Sequence, residues 1–173
     1  DPELAAITLG DLVGYAAVKT LAKHATVNAH LSDGVLHTFA SVHLGMAVDT
    51  PRGLLVPTLR FADTLTLRDF ATSSKKLAMD AIGGSISPDL LGGATFTVSN
   101  LGAFGIESFT PLLNVPQVAI LGVGYRVPLY TLGDSVDFTL GYSNVDSGRI
   151  ELFSVSGNGL ILGYMMWKTR LVP

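Results

Sequence analysis

The sequence contains no cysteine. That absence excludes disulfides, a thiolate nucleophile and cysteine-ligated zinc, and it suits a reducing compartment. Charge is scarce as well: charged residues are 14% of the 173, against roughly 25% in an average soluble domain. The formal net charge of -3 supplies no basic field for nucleic acid, and Lys75-Lys76 reads as a solvated pair on a helix. No apolar run approaches the roughly 20 residues of a membrane-spanning helix; the longest, Gly159 to Trp167, is too short. The opening Asp1-Pro2-Glu3 has neither the basic region nor the apolar stretch of a signal peptide. With 48% apolar residues and so little charge, much uncharged surface needs covering. Assembly with further subunits is the expected reason.

The length suits one domain, residues 1–173, with enough chain for a substantial core. Thr8 to Lys23 reads as a helix capped by Thr8, with Asp11 in its first turn. Asp33-Gly34 marks a hairpin between His30-Leu31 and Val35-Leu36. His43 to Val48 reads as a strand and Asp49 to Gly53 as a turn, where Asp49 and Arg52 are placed to pair locally. Leu54 to Leu59 is expected to be a buried strand, moved to an edge or bulge by Pro57. Thr66 to Ala81 is a second helix, with Leu67, Phe70, Leu77 and Ile82 as its apolar stripe and Gly83-Gly84 as its stop. A helical turn at Ser87 to Leu90 precedes strands over Ala94 to Val98 and Gln117 to Val123. Four more strands are expected: Leu129 to Leu132, Asp137 to Tyr142, Arg149 to Val155 and Leu160 to Trp167. The sum is a mixed α/β sandwich.

The stretch carrying most information is Gly92-Gly93-Ala94-Thr95-Phe96-Thr97-Val98-Ser99-Asn100-Leu101-Gly102, continued by Phe104-Gly105-Ile106 and by Asn114 to Gly124. A β-rich run enters a Gly-flanked loop, with Ser99 and Asn100 at its end, a common place for a scaffold to present polar groups. Together with Asn28-Ala29-His30, Asp33-Gly34 and Val42 to Pro57, these segments occur in the order found in the catalytic core domain of the dihydrolipoyl acyltransferases of 2-oxo acid dehydrogenase complexes. The chain resembles that family over about residues 7–124; residues 125–173 are diverged and β-rich. The resemblance implies a fold like chloramphenicol acetyltransferase, a mixed sheet with helices on one face. It implies homotrimers that build a cubic or dodecahedral core, with active-site channels between subunits. Coenzyme A and lipoyl-lysine would enter as substrates, with no tightly bound cofactor. Lipoyl domains and the other subunits of the complex would be the partners, in bacterial cytoplasm or mitochondrial matrix.

The resemblance gives Ser99 the role of oxyanion donor; Asn100, next to it at the strand end, reads as a substrate-binding residue lining the channel. It also requires a His-x-x-x-Asp-Gly motif near the C-terminus, which is not found. The best register, with Thr139 to Tyr142 on the preceding strand, puts Asn144 at the histidine position, followed by Asp146 and Gly148 at the wrong spacing. Asparagine has no titratable nitrogen, so the general base is missing in that register. None of the four histidines replaces it readily. His30 lies beside the Asp-Gly turn, His43 on a strand, His24 at a helix end and His37 on an exposed hairpin strand. No pair of them has the spacing of a metal site. Two readings stay open: an acyltransferase core, or a non-catalytic core subunit of the protein X type.

Overall fold

The structure is a computed structural model that describes residues 7–106, 109–124, 138–144 and 149–155. The chain opens with α1 (Leu9–Leu21), and local chemistry explains where it starts. The Thr8 hydroxyl accepts the Asp11 N–H while the Asp11 carboxylate accepts the Thr8 N–H, a reciprocal capping box. Next come β1 (Ala29–Ser32) and β2 (Val35–Thr38), an antiparallel hairpin. Its turn residues Asp33 and Gly34 both have positive φ, 52° and 75°, the conformation that makes Asp-Gly a hairpin signal.

The expected strand from His43 to Val48 divides in two. β3 (Leu44–Met46) joins the main sheet, whereas β4 (Val48–Thr50) turns back onto β5 (Gly53–Leu55) in a separate hairpin. The Thr50 hydroxyl donates to the Gly53 carbonyl at 2.6 Å and accepts the Arg52 N–H. That local bonding turns the chain out of the main sheet. Leu54 is therefore not buried as expected but 67% exposed. The expected strand over residues 54–59 is broken at Val56-Pro57 and resumes as β6 (Thr58–Leu59), an edge of the main sheet, where a proline beside the ladder is tolerated. Arg52 does not pair with Asp49; its guanidinium donates to the Ala81 carbonyl at the end of the second helix, at 3.4 Å.

That helix is α2 (Leu67–Gly83), capped by Thr66 and closed by Gly84 in the left-handed region. Its buried face is Phe70, Ala71, Ser74 and Ala81, so Ile82, 51% exposed, lies outside the stripe expected for it. A 3-10 turn at Pro88–Leu90 leads to β7 (Phe96–Asn100), and a second at Gly102–Phe104 leads towards β8 (Ala119–Val123). β9 (Phe138–Asn144) and β10 (Arg149–Val155) follow as an antiparallel pair. The expected strands at residues 129–132 and 160–167 lie outside the described residues.

The main sheet has the order β10-β9-β8-β7-β3-β6, with β3, β7 and β8 parallel and the remaining pairs antiparallel. Both helices supply the core on one of its faces. Val18 and Leu21 of α1 and Phe70 of α2 cluster with Leu44, Leu59, Phe96, Val98 and Val123. Because side chains alternate along a strand, Thr95, Thr97 and Ser99 take the opposite face. Gly14 marks where α1 meets α2, since a Cβ there would sit 3.0 Å from the Phe70 ring.

One buried carboxylate ties the helices together. Asp11 of α1 is 8% exposed, accepts from the Ser74 hydroxyl of α2 at 3.3 Å and pairs with Lys75 at 3.0 Å. Burial opposes its charge, but hydrogen bonds from Thr8 and the Lys75 ammonium outweigh burial and hold its carboxyl below the ordinary 3.8. A lowered carboxyl contributes stability that is present above the unfolded value and lost as pH falls through the folded one. Asp11→Asn should therefore destabilise the fold by about 1–2 kcal/mol at pH 7, the scale of a lost cap. Urea titrations should show the gap between wild type and variant closing below about pH 4. A gap unchanged by acid would show that Asp11 is not held as an anion.

Candidate functional site

The site is built on β7, at the centre of the parallel part of the sheet. Its face away from the helices carries three hydroxyls in alternate positions, and their hydrogen bonds differ. Thr95 donates to the Asn28 side-chain carbonyl at 2.6 Å. Thr97 donates to the Gln117 side-chain carbonyl at 2.7 Å. Ser99 is half-buried, and among the described residues its hydroxyl has no hydrogen-bond partner. Two hydroxyls are committed to the fold, and the third has no partner among the described residues.

The committed pair sits in a well-satisfied polar layer. The Asn28 amide, 1% exposed, donates to the Phe39 and Ser41 carbonyls, both at 3.0 Å. Gln117, 4% exposed, donates its amide to the Ala94 carbonyl at 3.1 Å. His30 Nε2 donates to that same carbonyl at 2.9 Å, and its ring stacks edge-on against Phe39. Buried polar groups satisfied in this way rigidify the elements they join.

The free hydroxyl faces a surface shaped by glycines. In register, Ser99 lies beside Gly122 of β8, and Thr97 lies beside Gly45 of β3. A Cβ on Gly122 would meet Pro111 and Phe109 at 3.1 and 3.3 Å. Phe109 and Pro111 therefore pack against Gly122, the register neighbour of Ser99, and a side chain at position 122 would push them away.

Asn100 is placed differently. It faces the helix side, where its amide nitrogen lies 3.2 Å from the point a Cβ on Gly10 would occupy. Its side-chain carbonyl accepts the Gly102 N–H at 3.0 Å, an Asx-type bond that shapes the loop. The structure thus brings Ser99 and Asn100 to opposite faces of β7. Asn144 is the last residue of β9, in register with Arg149 of β10; Asp146 and Gly148 lie outside the described residues.

None of the four histidines bonds to Ser99. His43 lies just before β3 rather than on it, and its Nδ1 accepts the Phe61 N–H at 3.0 Å while the two rings meet edge-on. His24 lies beyond the end of α1, with its N–H on the Leu21 carbonyl. His37 is exposed on β2. Among the described residues no group of His, Asp and Glu comes together to hold a metal, and no helix there is long and apolar enough to cross a membrane.

The family model for the 2-oxoacid dehydrogenases acyltransferase (catalytic domain) matches residues 1–137. The chain belongs to this family. It is 42% identical over 126 residues to the dihydrolipoyllysine-residue acetyltransferase component of the acetoin cleaving system of Bacillus subtilis, covering 72% of this chain and 32% of that protein. It is 41% identical over 121 residues to the succinyltransferase component of the 2-oxoglutarate dehydrogenase complex of Escherichia coli, covering 68% and 29%. Relatives also include a mitochondrial pyruvate dehydrogenase component from Dictyostelium discoideum, 36% identical over 76% of this chain and 21% of that protein. The chain thus spans about a third or less of the length of these curated relatives.

Solved structures agree on the fold. The dihydrolipoamide acetyltransferase of Azotobacter vinelandii, studied for the roles of a serine, a histidine and an asparagine in its catalytic mechanism, superposes with a TM-score of 0.67 at 36% identity, over 78% of this chain and 57% of that one. The cubic core of the pyruvate dehydrogenase multienzyme complex gives 0.66 at 35% identity, over 78% and 57%. The architecture is that of the acyltransferase cores, the chloramphenicol-acetyltransferase-like mixed sheet that the sequence resembles.

The polar layer escaped the sequence reading. Thr95, Thr97 and Ser99 announce one strand face by their alternation, but nothing local tells which hydroxyl stays free. Their partners Asn28 and Gln117 come from distant segments. The state of His43 is testable. Burial first, and then the nearby Arg60 guanidinium, push its pKa below the ordinary 6.5, against a smaller opposite pull from Asp63. A depressed histidine stabilises the fold above its unfolded value, and that stability is lost as pH falls towards the folded one. The His43 ring proton resonances should therefore titrate with a midpoint below 6.5. A midpoint above it would contradict the acceptor role of Nδ1.

Proposed function

We propose that this domain is an acyltransferase core that moves an acyl group between a dihydrolipoyl thiol and coenzyme A, with Ser99 as the oxyanion donor. The observation that carries the reading is the free, half-buried Ser99 hydroxyl beside two committed neighbours, in a chain of this family. In the transfer, the thiol sulfur of one substrate attacks the thioester carbonyl of the other. The new carbon–sulfur bond leaves a negative oxygen, to which the Ser99 hydroxyl donates. Collapse expels the second sulfur, which takes up the proton the first one released, so no oxidant or metal is required. A donor preorganised for that oxygen stabilises the transition state more than the substrate.

The general base is the weak point of a single chain. A thiol of pKa about 8.5 is only about 3% thiolate at pH 7. Among the described residues no histidine bonds to Ser99, and Asn144 ends β9. An asparagine in the register position of the family's histidine favours a second reading, a non-catalytic core subunit that keeps the fold and assembly. Assembly is part of both readings. Leu112, Val115, Phe104 and Leu54 are 67–90% exposed, which is unusual for large apolar side chains, and solved relatives include a cubic core. Self-association, with lipoyl domains delivering the acyl group, fits a bacterial cytoplasm or a mitochondrial matrix, since relatives come from both.

Acetyl transfer from acetyl-coenzyme A to dihydrolipoamide decides between the two. If the domain is the enzyme, Ser99→Ala should lower kcat by about 10²–10³ with little change in KM, the usual effect of removing one such donor. A wild-type rate no faster than the reaction without protein would leave the non-catalytic subunit as the reading.

A further inference from the structure

We propose that Thr97 and Gln117 are positioning residues that set the place of the Ser99 hydroxyl, an inference that rests on the oxyanion role proposed for Ser99. Ser99 has no side-chain hydrogen bond of its own among the described residues, so its orientation must come from the strand that carries it. A slip of one residue would turn Ser99 to the helix side. Burial of Phe96 and Val98 fixes which face of β7 carries Ser99, and the exact placement of the strand against β8 is then a matter for the polar side chains.

Gln117 brackets that strand at two points. Its side-chain carbonyl accepts from Thr97 at 2.7 Å, and its amide donates to the carbonyl of Ala94, three residues earlier, at 3.1 Å. Gln117 itself immediately precedes the Val118-Ala119 entry to β8, and it bridges His30 of β1, whose ring donates to the same Ala94 carbonyl at 2.9 Å. One amide thus fixes β7 relative to β8 at the level just below the Ser99–Gly122 pair. Thr97 and Gln117 are 1% and 4% exposed, so water cannot replace a lost bond, and an unpaired group there stays unpaired.

The space for this bracket is also specified. A Cβ on Gly45 would come within 2.9 Å of the Thr97 hydroxyl and 3.0 Å of Ala94 Cβ and Val56 Cγ1. The glycine of β3 therefore leaves room for the Thr97 hydroxyl where a larger residue would displace it. The third side of the arrangement is the packing of Pro111 and Phe109 against Gly122.

A double-mutant cycle on the full chain tests this, using acetyl-coenzyme A and dihydrolipoamide. Thr97→Val and Gln117→Met each remove the bond while keeping similar volume, and two independent variants guard against a failure to fold in one. Each should lower kcat about tenfold or more, since small displacements near the reacting atoms are costly, while KM for acetyl-coenzyme A stays within about twofold. In the Ser99→Ala background each should change kcat by less than about twofold, because the bracket then has no donor to place. Thr97→Ser, which keeps the hydroxyl, should retain the wild-type rate. Equal losses with and without Ser99, or no loss in a protein that Ser99→Ala slows, would overturn the positioning role and leave the proposed function standing. A rate that Ser99→Ala does not change would overturn the donor role, and this inference with it.

Discussion

The pairing of β3, β7 and β8 is the constraint on which the rest of the structure depends. These three parallel strands turn one face of β7 towards the helices and the other towards the site. Phe96 and Val98 anchor the first face in the core with Phe70 and Val18. The period of two then dictates that Thr95, Thr97 and Ser99 share the second. Burying apolar groups on one side thereby places three hydroxyls on the other. The chain resolves the polar cost of that placement by giving Thr95 and Thr97 buried amide partners. Ser99 has no such partner among the described residues.

Glycine enters this account through close approach. At position 45 a side chain would collide with the Thr97 hydroxyl, and at position 122 with the Pro111 and Phe109 rings. Both glycines lie on the site face, on either side of β7. They let neighbouring groups come close to the strand that carries Ser99. On the helix face, Gly14 has the same function against Phe70.

Much of this was legible in the sequence, and the parts that were not have physical reasons. Both helices were readable because their caps are local: Thr8 and Thr66 each bond three residues ahead. The Asp33-Gly34 hairpin was readable because only a few residues accept its dihedral angles. The split of His43 to Val48 between two sheets was not, because the choice at Ala47 depends on its bond to Val98, about fifty positions away in sequence. The exposure of Leu54 and Ile82 follows from the same dependence on long-range packing. At the site, the run ending in Ser99 and Asn100 stood out in the sequence, but which hydroxyls are engaged was not legible, because the partners of Thr95 and Thr97 are Asn28 and Gln117, from distant segments. The placement of Asn100 on the opposite face follows from strand alternation alone, and the motif concealed it.

The role proposed for Ser99 is donation from its hydroxyl to a thioester oxygen. A structure of the assembled protein with acetyl-coenzyme A bound tests it most directly. The thioester carbonyl oxygen should lie within about 3 Å of Ser99 Oγ, with the thioester on the face of β7 away from the helices. A thioester bound elsewhere, or a Ser99 hydroxyl bonded only to backbone in the assembly, would contradict it.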